Sequence, residues 1–177
     1  MGDWHDRSPT DRASPEHRQR AGRRPRQKGH RRCLHEDVRA WAKGIHTTEA
    51  AVELLIRGFA GRFAGPGQPW IIPNEHGGHF VDFESVPNRI GALSSGERGY
   101  LLVASSIGLG GSDGTTVNLS DTIASLGRDQ LTLVLAALAH ANGSHDHSGI
   151  EIDPTTGAAS FTQHASLYPW PADAPAH

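Results

Sequence analysis

The sequence predicts an α+β protein: a small antiparallel sheet from two hairpins, packed against four to five helices, behind a disordered N-terminal arm. Three observations carry this. Apolar residues recur at helical spacing in several segments, the longest being residues 128–141 (RDQLTLVLAALAHA). Two pairs of short β-favouring runs bracket turn-forming residues at 73–78 and 154–157. The segment 1–32 holds almost no aliphatic side chains, so it cannot bury enough apolar surface to offset the entropy of ordering.

Leu34, Val38 and Trp41 lie at i, i+4 and i+7 and predict a short helix over 34–43, ending at Gly44. Thr47 or Thr48 then serves as N-cap, with Glu49 in the first turn, for an amphipathic helix carrying Val52, Leu55, Ile56, Phe59 and Phe63. Gly65-Pro66-Gly67 ends it. Trp70-Ile71-Ile72 and residues 79–83 form the first hairpin. Two related segments follow at a constant offset, pairing Ile90 with Ile123, Leu93 with Leu126, Leu102 with Leu135, Ala104 with Ala137 and Gly110 with Gly143. Each reads as a short helix, a tight turn and a longer helix. Ser94 and Glu97 make a capping box on the first long helix, and Ser120 with Asp121 caps the second short one. The second long helix, 128–141, is apolar over most of its circumference and is expected to be central to the core, with Asn142-Gly143 as a left-handed stop. Residues 150–153 and 159–163 form the second hairpin. The resulting organisation is a basic arm over 1–45 that includes the short helix, one α+β domain over 46–170, and a flexible tail over 171–177.

Composition narrows the function. The chain has 177 residues and a formal net charge of −2, but the charge is divided. Residues 1–45 carry 12 basic and 6 acidic side chains, net +6; residues 46–177 carry 5 and 13, net −8. An acidic folded part is a poor phosphate binder and favours a basic protein partner. Contact with nucleic acid would fall to the arm, whose densest cluster is Arg23, Arg24, Arg26, Lys28, Arg31 and Arg32. The single cysteine excludes an intramolecular disulfide framework and a multi-cysteine zinc site. No apolar run reaches the ~20 residues of a membrane span, and no signal-peptide core follows the arginines, so no membrane association and a cytoplasmic location are expected. Arginine outnumbers lysine 15 to 2, the mark of a GC-rich bacterial genome.

Two short motifs are set aside on mechanical grounds. Residues 93–97 (LSSGE) are similar to the signature of ABC-type ATPases, but the phosphate-cradling loop that ends in Gly-Lys-Ser/Thr is absent from the sequence. Residues 110–114 (GGSDG) fit G-x-S-x-G, yet a helix precedes the serine where a nucleophile elbow needs a strand.

Histidine is the informative excess, at 12 residues. Two loop clusters stand out: His76 and His79 beside Glu75, and His145 and His147 around Asp146, just past His140. Imidazoles with a carboxylate suit Zn²⁺ or another first-row divalent ion, provided the two loops meet in space. Glu75 or Asp146 would then act on a metal-bound water. His46 and His164 stand alone in the sequence and receive no role. The leading expectation is a non-enzymatic macromolecular binding module with an acidic folded domain, without cofactor or catalytic residues. The alternatives are a histidine-based metal protein using His76, His79, His145 and His147, with a hydrolytic variant of it, and nucleic-acid association through the arm.

Overall fold

The structure is a computed structural model that describes residues 33–110 and 116–171. The arginine cluster from Arg23 to Arg32, the glycine-rich segment 111–115 and the tail from 172 lie outside the described residues.

Six helices and two antiparallel two-stranded sheets make up the described chain. The short helix expected near residue 34 forms as α1 (Leu34–Ala42), and it belongs to the folded body because Val38 and Ala42 are buried in the core. Helix α2 (His46–Arg57) starts one residue before the expected threonine caps. Gly44, at φ 93°, turns the chain, and its amide donates to Glu49 Oε1 at 2.8 Å, tying the turn ahead of the helix to its first turn; no side chain caps the helix itself. Thr48 is instead buried within the helix. The helix expected to continue through Phe63 ends at Arg57, and residues 58–64 follow as tight turns broken by a left-handed kink at Phe59, Ala60 and Gly61. Phe59 is held there by edge contacts to Phe63 and Tyr100, 5.1 and 5.4 Å between ring centroids.

The first hairpin pairs β1 (Ile71–Pro73) with β2 (His79–Val81) and packs on α1. Helices α3 (Val86–Arg89), α4 (Ser95–Gly108), α5 (Leu119–Ser125) and α6 (Arg128–Ala141) follow. Their boundaries reproduce the offset seen in the sequence: Val86 of α3 matches Leu119 of α5, and both ends of α4 match both ends of α6. Gly110 and Gly143, the matched residues beyond the two long helices, both take positive φ, 63° and 73°. The capping box of α4 is formed, Ser94 N donating to Glu97 Oε2 at 2.9 Å. Helix α5 is capped differently from the expectation, by the side chain of Asn118 rather than Ser120. The second hairpin pairs β3 (Ser148–Ile152) with β4 (Ala159–Gln163) and forms a sheet separate from the first.

The core is centred on α2, which buries Ala50, Ala51, Val52, Leu54 and Leu55 between α1, α4 and α6. Trp70, Phe63, Tyr100 and Leu101 complete it, with Tyr100 donating to Leu54 O at 2.9 Å and the Trp70 indole to Phe63 O at 2.9 Å. Helix α6 is therefore not the central helix its composition suggests. Only Val134, Ala136 and Ala137 of it are buried, while Leu135 and Leu138 face outward. Apolar residues all round a helix show that it can be buried on every side; among the described residues a cover lies on one side only.

Candidate metal centre

The start of α2 meets the end of α6, and histidines converge at that junction. His46 is the first residue of α2, His140 lies in the last turn of α6, and His145 follows in the loop beyond Gly143. That loop is fixed by backbone bonds from Gly143 N to His140 O (2.8 Å), Ser144 N to Ala139 O (3.1 Å) and Asp146 N to Gly143 O (2.9 Å). Ser144 is buried, and its hydroxyl accepts from Leu167 N at 3.3 Å and bonds the Ser166 hydroxyl at 3.3 Å, which draws the C-terminal segment over the loop. Trp170 then lies 6.0 Å from the His140 ring, beneath the Arg57 guanidinium.

Three imidazoles and two carboxylates interlock here. His46 Nε2 lies 3.0 Å from Asp146 Oδ2, His145 Nε2 lies 3.7 Å from Asp146 Oδ1, and His140 Nε2 lies 3.0 Å from Glu49 Oε2. The His140 and His145 rings stack at 4.4 Å, and His46 meets His145 edge-on at 4.9 Å. Gly143 makes room for this: a Cβ there would stand 3.0 Å from His46 Nδ1. Partial burial raises the pKa of Glu49, but the Gly44 amide, the hydrogen bond to His140 and the charges of His140 and His46 outweigh it and hold the carboxyl below the usual range. Its place in the first turn of α2 suits an anion as well.

His46, His145 and Asp146 are the one group among the described residues whose ligand atoms all lie within 4.8 Å of one another. Donor atoms bound to a common Zn²⁺ at ~2.0–2.1 Å stand roughly 3.3 Å apart in a tetrahedron. The two approaches to Asp146 use different oxygens, His46 Nε2 to Oδ2 at 3.0 Å and His145 Nε2 to Oδ1 at 3.7 Å, and both lie near that spacing. The buried Nδ1 of His145 has no hydrogen-bond partner among the described residues, so no second group fixes the tautomer of that ring. His140, with Nε2 on Glu49, supports the stack from behind.

Of the residues singled out in the sequence, His145 and its neighbour Asp146 join this group, and the other three histidines proposed as ligands do not. His79 bonds Asp37 on α1, Nδ1 to Oδ2 at 3.0 Å, and His76 is exposed at the tip of the β1–β2 hairpin with Glu75. His147 is exposed ahead of β3, its carbonyl taking the His164 amide at 2.9 Å. No three of His76, His79, His145 and His147 come together as ligands among the described residues. The residue that sequence reasoning passed over is His46. It has no histidine neighbour in the chain, and the only signal for it was the Gly44 turn and helix start that set its position. A cleft of about 270 Å³ adjoins the centre, lined by Arg39, Ala42, Lys43, Glu49, Val52, Glu53 and His140.

Comparison with protein-family models, with curated proteins and with solved structures finds no match to this chain. Function therefore has to be read from the geometry. No helix among the described residues is long and apolar enough to cross a membrane.

Proposed function

We propose that this protein binds one first-row divalent cation, Zn²⁺ foremost, through His46, His145 and Asp146. The observation that carries the reading is the convergence of two imidazoles from separate parts of the chain on one carboxylate. Nitrogen and oxygen donors of this kind suit zinc and its first-row neighbours. Three protein ligands leave a coordination position for water, the arrangement of catalytic rather than closed structural sites. An ion held this way lowers the pKa of its water, which is the basis of the hydrolytic variant of this reading. Glu49, through His140, acts as a positioning group that holds the stacked ring behind His145.

Calorimetric titration of Zn²⁺ into the untagged full chain tests the assignment. Wild type is expected to bind one ion per chain. His145→Ala and Asp146→Ala should each weaken binding at least about tenfold, since losing even an outer-shell partner of a ligand costs that much. A variant carrying both His76→Ala and His79→Ala should bind as wild type does. Loss of binding in that double variant, with binding kept in Asp146→Ala, would move the site to the other hairpin and end this reading. A second reading, a macromolecular binding module, is supported by one feature, the uncovered apolar face of β3–β4.

A further inference from the structure

Strands β3 and β4 form a ribbon that stands apart from the body, without substantial packing on any other element among the described residues. Its two faces differ. Ile150, Ile152, Ala159 and Phe161 share one face, with Ile150 opposite Phe161 and Ile152 opposite Ala159; Gly149, Glu151, Ser160 and Thr162 share the other. The apolar face is bare: Ile150, Ile152 and Phe161 are 63%, 67% and 82% exposed. A lone two-stranded ribbon is at best marginal in water, so this one needs a cover. The body offers a matching surface. Leu131, Leu135 and Leu138 run along the outer side of α6 at i, i+4 and i+7, with the last two 40% and 48% exposed. Within one chain the ribbon makes no substantial packing on α6 among the described residues.

We propose that the β3–β4 ribbon is an exchange arm, laid across the outer face of α6 in a second copy of this chain, while that copy's arm returns the contact. Both surfaces are apolar, and one chain carries both, so a two-fold pair satisfies each at once. Area decides the mode. The arm face presents on the order of 400 Å² of apolar surface, so arm against arm buries roughly 800 Å² in total, the size of a lattice contact. Arm against α6 in both directions adds the leucines of two copies and brings the total to about 1,200 Å² at full burial, where specific interfaces begin. Such pairing is independent of the metal reading.

Sedimentation equilibrium of the full chain across a concentration series tests it, with Phe161→Asp on the arm and Leu138→Asp on the helix. Wild type is expected to dimerise, and each variant to dissociate at least tenfold more readily. Circular dichroism should show both variants folded, since neither side chain is in the core. The deciding arm mixes the two variants: one intact arm then meets one intact helix, and hetero-pairs should form more tightly than either variant pairs with itself. A monomeric wild type at all concentrations overturns the proposal, as does a Leu138→Asp variant that dimerises like wild type.

Discussion

Gly143 shows how much one residue can decide here. It sits at φ 73°, and a Cβ would crowd His46 Nδ1 at 3.0 Å. Replacing Gly143 with alanine should cost about 1–2 kcal/mol from the left-handed backbone alone, measurable by urea unfolding. It should also weaken Zn²⁺ binding by displacing the His46 ring; unchanged affinity would mean that ring is not held by this contact. Glu53 sets an acid limit. Its partly buried carboxyl is pushed up by desolvation, but the hydrogen bonds and charges of Arg39 and Arg57 win and hold it below its ordinary value of 4.5. A depressed carboxyl contributes stability that is present above 4.5 and lost as pH falls through the lower folded value. Glu53→Gln should therefore lower stability at neutral pH by about 1–3 kcal/mol and flatten the acid side of the pH profile. At the alkaline side, burial raises the pKa of Tyr100, so its neutral hydroxyl supports the fold below pH ~10 and that support is lost as the pH rises beyond it.

At the scale of elements, the two matched halves, α3–α4 and α5–α6, test local encoding. Ser94 caps α4 with its hydroxyl, while the matched Gly127 caps α6 with no side chain at all. Ser94→Ala should cost about 1 kcal/mol, read by thermal unfolding; a neutral result would show that the Ser94 hydroxyl has no weight in the cap, since the Ser94 amide keeps its bond to Glu97. These elements were legible in the sequence because their signals are local: the capping box, the glycine stops, the Asp153 turn whose side chain accepts from Thr155 N at 2.7 Å, and the repeat itself. What lay hidden depends on packing between distant segments. Nothing local distinguishes α2 as the central helix from α6 as a half-covered one, since both carry enough apolar residues for either place. The same limit explains the site. His145 and Asp146 announce themselves as neighbours in the chain, but His46 joins them only because α2 packs along α6. His76 and His79 looked as promising, and the hairpin carries His79 to Asp37 instead.

For the whole molecule, a bound ion would tie the start of α2 to the loop beyond α6 and so stabilise the folded state over the unfolded chain. With Zn²⁺ at 100 times its dissociation constant the gain is about 2.7 kcal/mol. For a chain of this size that is worth roughly 5–10 °C in Tm. At the same Zn²⁺ concentration Asp146→Ala should cut the shift to about half or less, while the paired His76→Ala and His79→Ala substitutions should leave it intact. The arm exchange acts at the same scale but separately, through mass action on protein concentration rather than on metal. The three-residue centre is tested most directly by elemental analysis of the untagged full chain after loading with Zn²⁺ and exhaustive dialysis. One zinc per chain in wild type, and none retained when Asp146 is alanine, is the expected result; a wild-type protein that emerges free of metal, or an Asp146→Ala protein that keeps its zinc, would contradict it.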